Sequence, residues 1–90
     1  MKIVTICGAG IGSSGILKVN AERVLRKLDV TATVVAADIS TVREVAADAQ
    51  VILTSAEFVE AIGKTFADVI VVQNYFDTEE LTDKLRAALE

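Results

Sequence analysis

Cys7, the single cysteine of the chain, is followed at once by Gly8-Ala9-Gly10-Ile11-Gly12-Ser13-Ser14. The residues ahead of it read as an apolar strand, and those behind it turn helical. A thiol at a strand's carboxyl end, beside glycines and a helix N-terminus, is an arrangement suited to phosphate. Glycines let successive N–H groups turn inward on an anion, and the helix dipole adds partial positive charge at the same point. A thiolate is also an anion, so the same groups lower the pKa of Cys7 and make the sulfur nucleophilic.

Three chemistries use loops of this kind. Gly10-Ile11-Gly12-Ser13-Ser14-Gly15 matches the dinucleotide fingerprint G-x-G-x-x-G, and Asp38 stands where a ribose-binding acid would be. The first glycine of that match comes too late after the strand, and four strands cannot supply two mononucleotide halves. A phosphate loop of the Walker type needs Gly-Lys-Ser/Thr after the glycines, which is missing. The third chemistry is cysteine-based phosphoryl transfer. Tyrosine-phosphatase-type loops place an arginine after five intervening residues, where it grips phosphate with two parallel hydrogen bonds. Here that position is Ser13. Without the arginine the site lacks its main clamp on the transferring group and on an attacking water. A phosphocysteine carrier fits this loop better than a hydrolase, with Asp77 left as a candidate acid for hydrolysis.

The elements that position Cys7 follow from periodicity. Strands are expected over 2–7, 31–37, 50–54 and 67–73. Residues 16–28 place Leu17, Ala21, Val24, Leu25 and Leu28 on one helical stripe, with Lys18, Glu22, Arg23, Arg26 and Lys27 largely outside it. Thr41 with Glu44 reads as a capping box opening a short helix, and Asp77 with Glu80 as the cap of a last one striped by Leu81, Leu85, Ala88 and Leu89. A third helix is expected over about 56–64, capped by Thr54 and Ser55. Strands apolar on both faces that alternate with helices give an α/β three-layer sandwich: a four-stranded parallel sheet, order 2-1-3-4, with helices on both faces.

Ligands of such sheets bind beyond the strands' carboxyl ends. That edge gathers Cys7 to Ser14, Asp38 to Thr41, Thr54 with Ser55, and Asn74 to Asp77. Asp38 reads as a loop or cap residue, and Lys18 as a solvated lysine one turn inside its helix. Tyr75 and Phe76 are adjacent and cannot both point inward along one strand, so one of them is a candidate partner contact.

Composition narrows the function. Ninety residues, 52% of them hydrophobic, make one small domain spanning 1–90 with a filled interior. No apolar run is long enough to span a bilayer. A net charge of −4 without a basic cluster argues against nucleic acid. No histidine and one cysteine leave no structural zinc site, no cofactor is expected, and a lone cysteine suits a reducing cytoplasm.

The run Cys7-Gly8-Ala9-Gly10-Ile11-Gly12-Ser13-Ser14, with Lys18 behind it, resembles the phosphorylation loop of IIB components of the bacterial sugar phosphotransferase system, most closely the ascorbate type. The resemblance implies a cytoplasmic carrier with Cys7 catalytic and Gly8 to Ser14 holding the phosphate. It implies two partners: a IIA protein whose phosphohistidine is the donor, and a membrane IIC transporter holding the sugar. Lacking histidine, this chain must receive the group from another protein. Gly15 departs from the pattern, which has a bulkier apolar residue there. The alternatives are a low-molecular-weight phosphatase or arsenate-reductase-like hydrolase, and a non-catalytic regulatory module on the same fold.

Overall fold

The computed structural model describes residues 1–6, 11–73 and 77–89, the side chains of residues 11–15 and 89 excepted. Four strands, β1 (Lys2–Ile6), β2 (Thr33–Ala37), β3 (Val51–Thr54) and β4 (Asp68–Val71), pair in parallel in the order β2-β1-β3-β4. The α/β sandwich expected from the sequence is the observed one. The central strands β1 and β3 are almost wholly buried, whereas the edge strands β2 and β4 carry exposed residues.

Helices cover the two faces unequally. On one face α1 (Ile11–Lys27) and α4 (Thr78–Leu89) lay Leu17, Ala21, Val24, Leu81 and Leu85 on Ile3 and Leu53. This is the stripe the heptad-like spacing anticipates. On the other face α2 (Val42–Val45) and α3 (Val59–Ile62) are single turns, and Val42, Ala46 and Ile62 pack on Val4, Ile6 and Ile52. Burying such side chains stabilises the fold by about 1.5–3 kcal/mol each, relative to leaving them in water.

Several boundaries differ from the sequence reading, each for a physical reason. α1 begins at Ile11, five residues before the expected start, so Ile11, Gly12, Ser13, Ser14 and Gly15 have helical backbone. Glycine and serine are weak helix formers, and periodicity becomes visible only where the stripe begins at Leu17. The expected third helix over 56–64 is a 3₁₀ turn, Ala56–Phe58, followed by α3. The caps expected from Thr41 and Ser55 do not form. Thr41 makes no side-chain cap bond to α2, and Ser55 makes none to the 3₁₀ turn but donates its hydroxyl to Glu57 Oε1 at 3.1 Å. Buried Thr54 directs its hydroxyl to the Ser55 carbonyl, at 3.4 Å.

The end of α1 closes without glycine. Asp29 adopts φ 58°, the Val30 N–H donates to the Leu25 carbonyl at 2.9 Å, and the Asp29 N–H donates to the Arg26 carbonyl at 3.2 Å. This is the double-bonded left-handed cap usually built on glycine. At the opposite end of the sheet from the expected site, Lys2 Nζ pairs with Asp48 at 2.7 Å, which holds the Asp48 carboxyl below its ordinary value.

Candidate functional site at the carboxyl edge of the sheet

The carboxyl ends of the four strands are level. Ile6 lies opposite Ala37 and Thr54, and Thr54 opposite Val71. The described helices follow the strands in chain order, so they are entered from this edge. β1 ends at Ile6 and α1 opens at Ile11, so Cys7, Gly8, Ala9 and Gly10 are all that joins the central strand to the longest helix. Those four residues lie outside the described ones, as do Asn74, Tyr75 and Phe76.

Ile11, Gly12, Ser13 and Ser14, expected as part of a phosphate-holding loop, are instead the first turn of α1. First-turn N–H groups have no carbonyl one turn earlier within their own helix, so Ile11, Gly12 and Ser13 present donors at this edge. No acidic side chain stands in that turn, which leaves the positive end of the dipole uncancelled there. Over 17 residues the dipole reaches its full terminal charge. Gly12 has helical backbone, so no positive φ is required of it.

Asp38 closes the β2 end. Its Oδ1 accepts from the Ser40 hydroxyl at 2.6 Å, the Thr41 N–H at 3.0 Å and the Thr41 hydroxyl at 3.1 Å. These bonds, the Ser40 hydroxyl first, hold its carboxyl below the usual value. A carboxylate engaged in this way is a loop lock, which fits the cap reading of Asp38 and not the ribose-binding one. Asp77 is likewise committed: its Oδ1 accepts from the N–H groups of Glu79 and Glu80, both at 3.1 Å, as the cap of α4. Lys18 is half-buried on α1, about two turns behind its start.

A polar network at the β4 end was not foreseen. Glu80 Oε2 accepts from the Gln73 N–H at 2.9 Å and from Lys84 Nζ at 2.7 Å, and Lys84 also donates to the Val71 carbonyl. It ties the end of β4 to the first turns of α4 and so anchors both ends of the segment 74–76. The signal was available: Glu80 and Lys84 are an i,i+4 acid–base pair on a helix.

Clefts formed by described residues include one between α1 and α4 lined by Arg23, Arg26, Lys27 and Thr78, and another beside Val42, Ala46 and Ile62. Among the described residues no group of His, Cys, Asp and Glu could hold a metal ion, and no helix is long and apolar enough to cross a membrane.

An open parallel sheet with a long helix rising from the loop after its central strand defines an α/β protein that takes its ligand at the carboxyl edge. Residues 2–87 match the family model described as "PTS system, Lactose/Cellobiose specific IIB subunit", and the chain belongs to that family. It is therefore a IIB component of the sugar phosphotransferase system and a phosphotransferase. The match carries lactose and cellobiose in its description and does not support the ascorbate-type subfamily. No curated protein matches the chain.

Proposed function

We propose that residues 1–90 act as a cytoplasmic phosphocysteine carrier, with Cys7 as the phosphoryl acceptor. The observation that carries the reading is the family match over 2–87, together with Cys7 standing between the end of β1 and the start of α1. In the first step the Cys7 thiolate attacks the phosphorus of a IIA phosphohistidine. An S–P bond forms, the N–P bond breaks, and the freed imidazole takes up a proton. In the second step a hydroxyl of sugar held by a IIC transporter attacks the same phosphorus: an O–P bond forms, the S–P bond breaks, and the hydroxyl proton passes to solvent as the thiolate leaves. Charge in both transition states spreads over the phosphoryl oxygens, so backbone donors from Gly8 to Ser14 and the α1 dipole do most of the work.

Ser13 in place of the phosphatase arginine favours transfer over hydrolysis. A second reading concerns the sugar: the glycine-rich run after Cys7 favours an ascorbate-type carrier, whereas the family description favours lactose or cellobiose. One experiment addresses both. The chain is incubated with phosphoenolpyruvate, the general phosphotransferase components and either an ascorbate-type or a lactose/cellobiose-type IIA protein, and the modified peptide is mapped by mass spectrometry. A phosphoryl group on Cys7, lost in Cys7→Ser, is expected; a group elsewhere, or normal transfer by Cys7→Ser, overturns the carrier. The IIA protein that loads the chain faster decides the sugar class. Rapid release of phosphate from an aryl phosphate would instead assign the hydrolase.

A further inference from the structure

Phe66 is fully exposed, the largest apolar side chain in that state among the described residues. A lone apolar group at a surface is ordinary, but this one borders a cleft. The cleft, of about 600 Å³, is lined by Val42, Ala46, Ile52 and Ile62, all buried members of the layer under α2 and α3. Those helices are single turns, so this face of the sheet is the thinly covered one. Arg43 and Lys64 also line the cleft, and neither has an ion-pair partner among the described residues. The segment that carries Phe66 is fixed by a short bridge: Thr65 Oγ1 accepts from the Ala67 N–H at 3.2 Å. Ala67 is buried, while Phe66 and Asp68 on either side of it are exposed. The Asp68 carboxylate, like the two cations, has no partner among the described residues.

One chain thus carries a protruding aromatic ring with a carboxylate two residues on, and beside it an apolar cleft bearing two cations. Each feature complements the other in shape and in charge. Because they are adjacent on one surface, a two-fold axis exchanges them, and Phe66 of each copy enters the cleft of the other. We propose that this face joins two copies of the chain into a symmetric dimer anchored by Phe66. Asp68 then meets a cleft cation of the opposite copy, which fixes the register of the pair. An aromatic ring buries about 150–250 Å², which is small beside the roughly 1,600 Å² of a standard interface. The dimer is therefore weak, dissociating at about 10–100 µM. Phe66 precedes β4, which begins at Asp68, so the ring stands towards the amino edge of the sheet. Cys7 follows β1 at the opposite edge, which pairing leaves open. The inference does not depend on the carrier reading.

Sedimentation velocity on the full chain, from about 5 µM to about 1 mM, reads the association directly. A reversible monomer–dimer equilibrium is expected. Phe66→Ala is expected to weaken it about 10-fold or more, and Asp68→Lys to weaken it as well. Both variants should melt with the parent at low concentration, because the altered side chains are exposed. In a mixture of isotope-labelled and unlabelled chains, nuclear Overhauser contacts are expected between the Phe66 ring of one copy and the Val42 and Ile62 methyl groups of the other. A parent chain that stays monomeric at about 1 mM overturns the proposal, whether its cleft then takes its own Phe66 ring or an acidic segment of another protein. So does a dimer that associates equally well in Phe66→Ala, which would place the interface on another surface.

Discussion

One carboxylate oxygen of Asp38 holds Thr41 twice, accepting from its N–H at 3.0 Å and from its hydroxyl at 3.1 Å. The turn that carries the chain from β2 into α2 is thus locked from both ends, because Thr41 Oγ1 also accepts from the Asp38 N–H at 3.3 Å. Through that lock Val42 is presented to the apolar layer over Ile6 and Ile52.

The lock is sensitive to acid. Its hydrogen bonds favour the ionised form and place the folded-state pKa of Asp38 below the ordinary 3.8. A depressed carboxyl stabilises the fold above its unfolded value, and that contribution is lost as pH falls through the folded value. Asp38→Ala is therefore expected to melt lower than the parent at neutral pH, with the gap closing only below 3.8. Thermal melts from pH 7 downward check this; a gap independent of pH would contradict it.

Glu80 and Lys84 lead to a second expectation. Glu80 accepts from the Gln73 N–H and pairs with Lys84, whose ammonium also reaches the Val71 carbonyl. The pair is only partly exposed, so its loss should exceed that of a surface ion pair, at about 1 kcal/mol. Glu80→Ala is expected to speed amide exchange at Gln73 while leaving exchange in β1 unchanged. Protection at Gln73 equal to the parent's would show that the network does not hold this segment.

Asp29 gives an engineering test. It occupies a left-handed backbone conformation in a cap that glycine fits best. Relieving the Cβ strain at this exposed site is worth about 1 kcal/mol, so Asp29→Gly is expected to raise the melting temperature by about 4–8 °C. Because Asp29 is at the far end of α1 from Cys7, phosphoryl transfer should be unaffected.

These cases show what the sequence made legible. Alternation of β-branched runs with the Leu17–Leu25 and Leu81–Leu85 stripes specified the sheet and its order, because burial dictates those patterns. Hydroxyl caps were less legible: Thr41 and Ser55 each had several acceptors within reach, and local geometry chose Asp38 and Glu57. The start of α1 was hidden because its first turn carries glycine and serine and contributes nothing to the stripe. Composition of the loop pointed to a IIB component, whereas its likeness to the ascorbate type is not supported by the family match.

Gly12 and Gly63 separate function from folding. Gly63 ends α3 with φ 69° and ψ −152°, a region open almost only to glycine, although no atom lies within 4 Å of where a Cβ would stand. It was expected as a left-handed cap; the sign of φ agrees, while ψ puts it beyond the left-handed helical region. Gly63→Ala is expected to cost about 1–3 kcal/mol through backbone strain alone and to leave transfer intact. Gly12 lies in the first turn of α1 with helical backbone, where alanine gains about 0.5–1 kcal/mol in helix propensity. Gly12 belongs to the turn whose N–H groups are proposed to receive the phosphoryl oxygens. Gly12→Ala is thus expected to melt at or above the parent temperature and to accept phosphate from IIA at least about 10-fold more slowly. Melting curves and acceptance rates on the two variants should move in opposite directions. Normal transfer by a stabilised Gly12→Ala would remove the α1 N-terminus from the phosphate site.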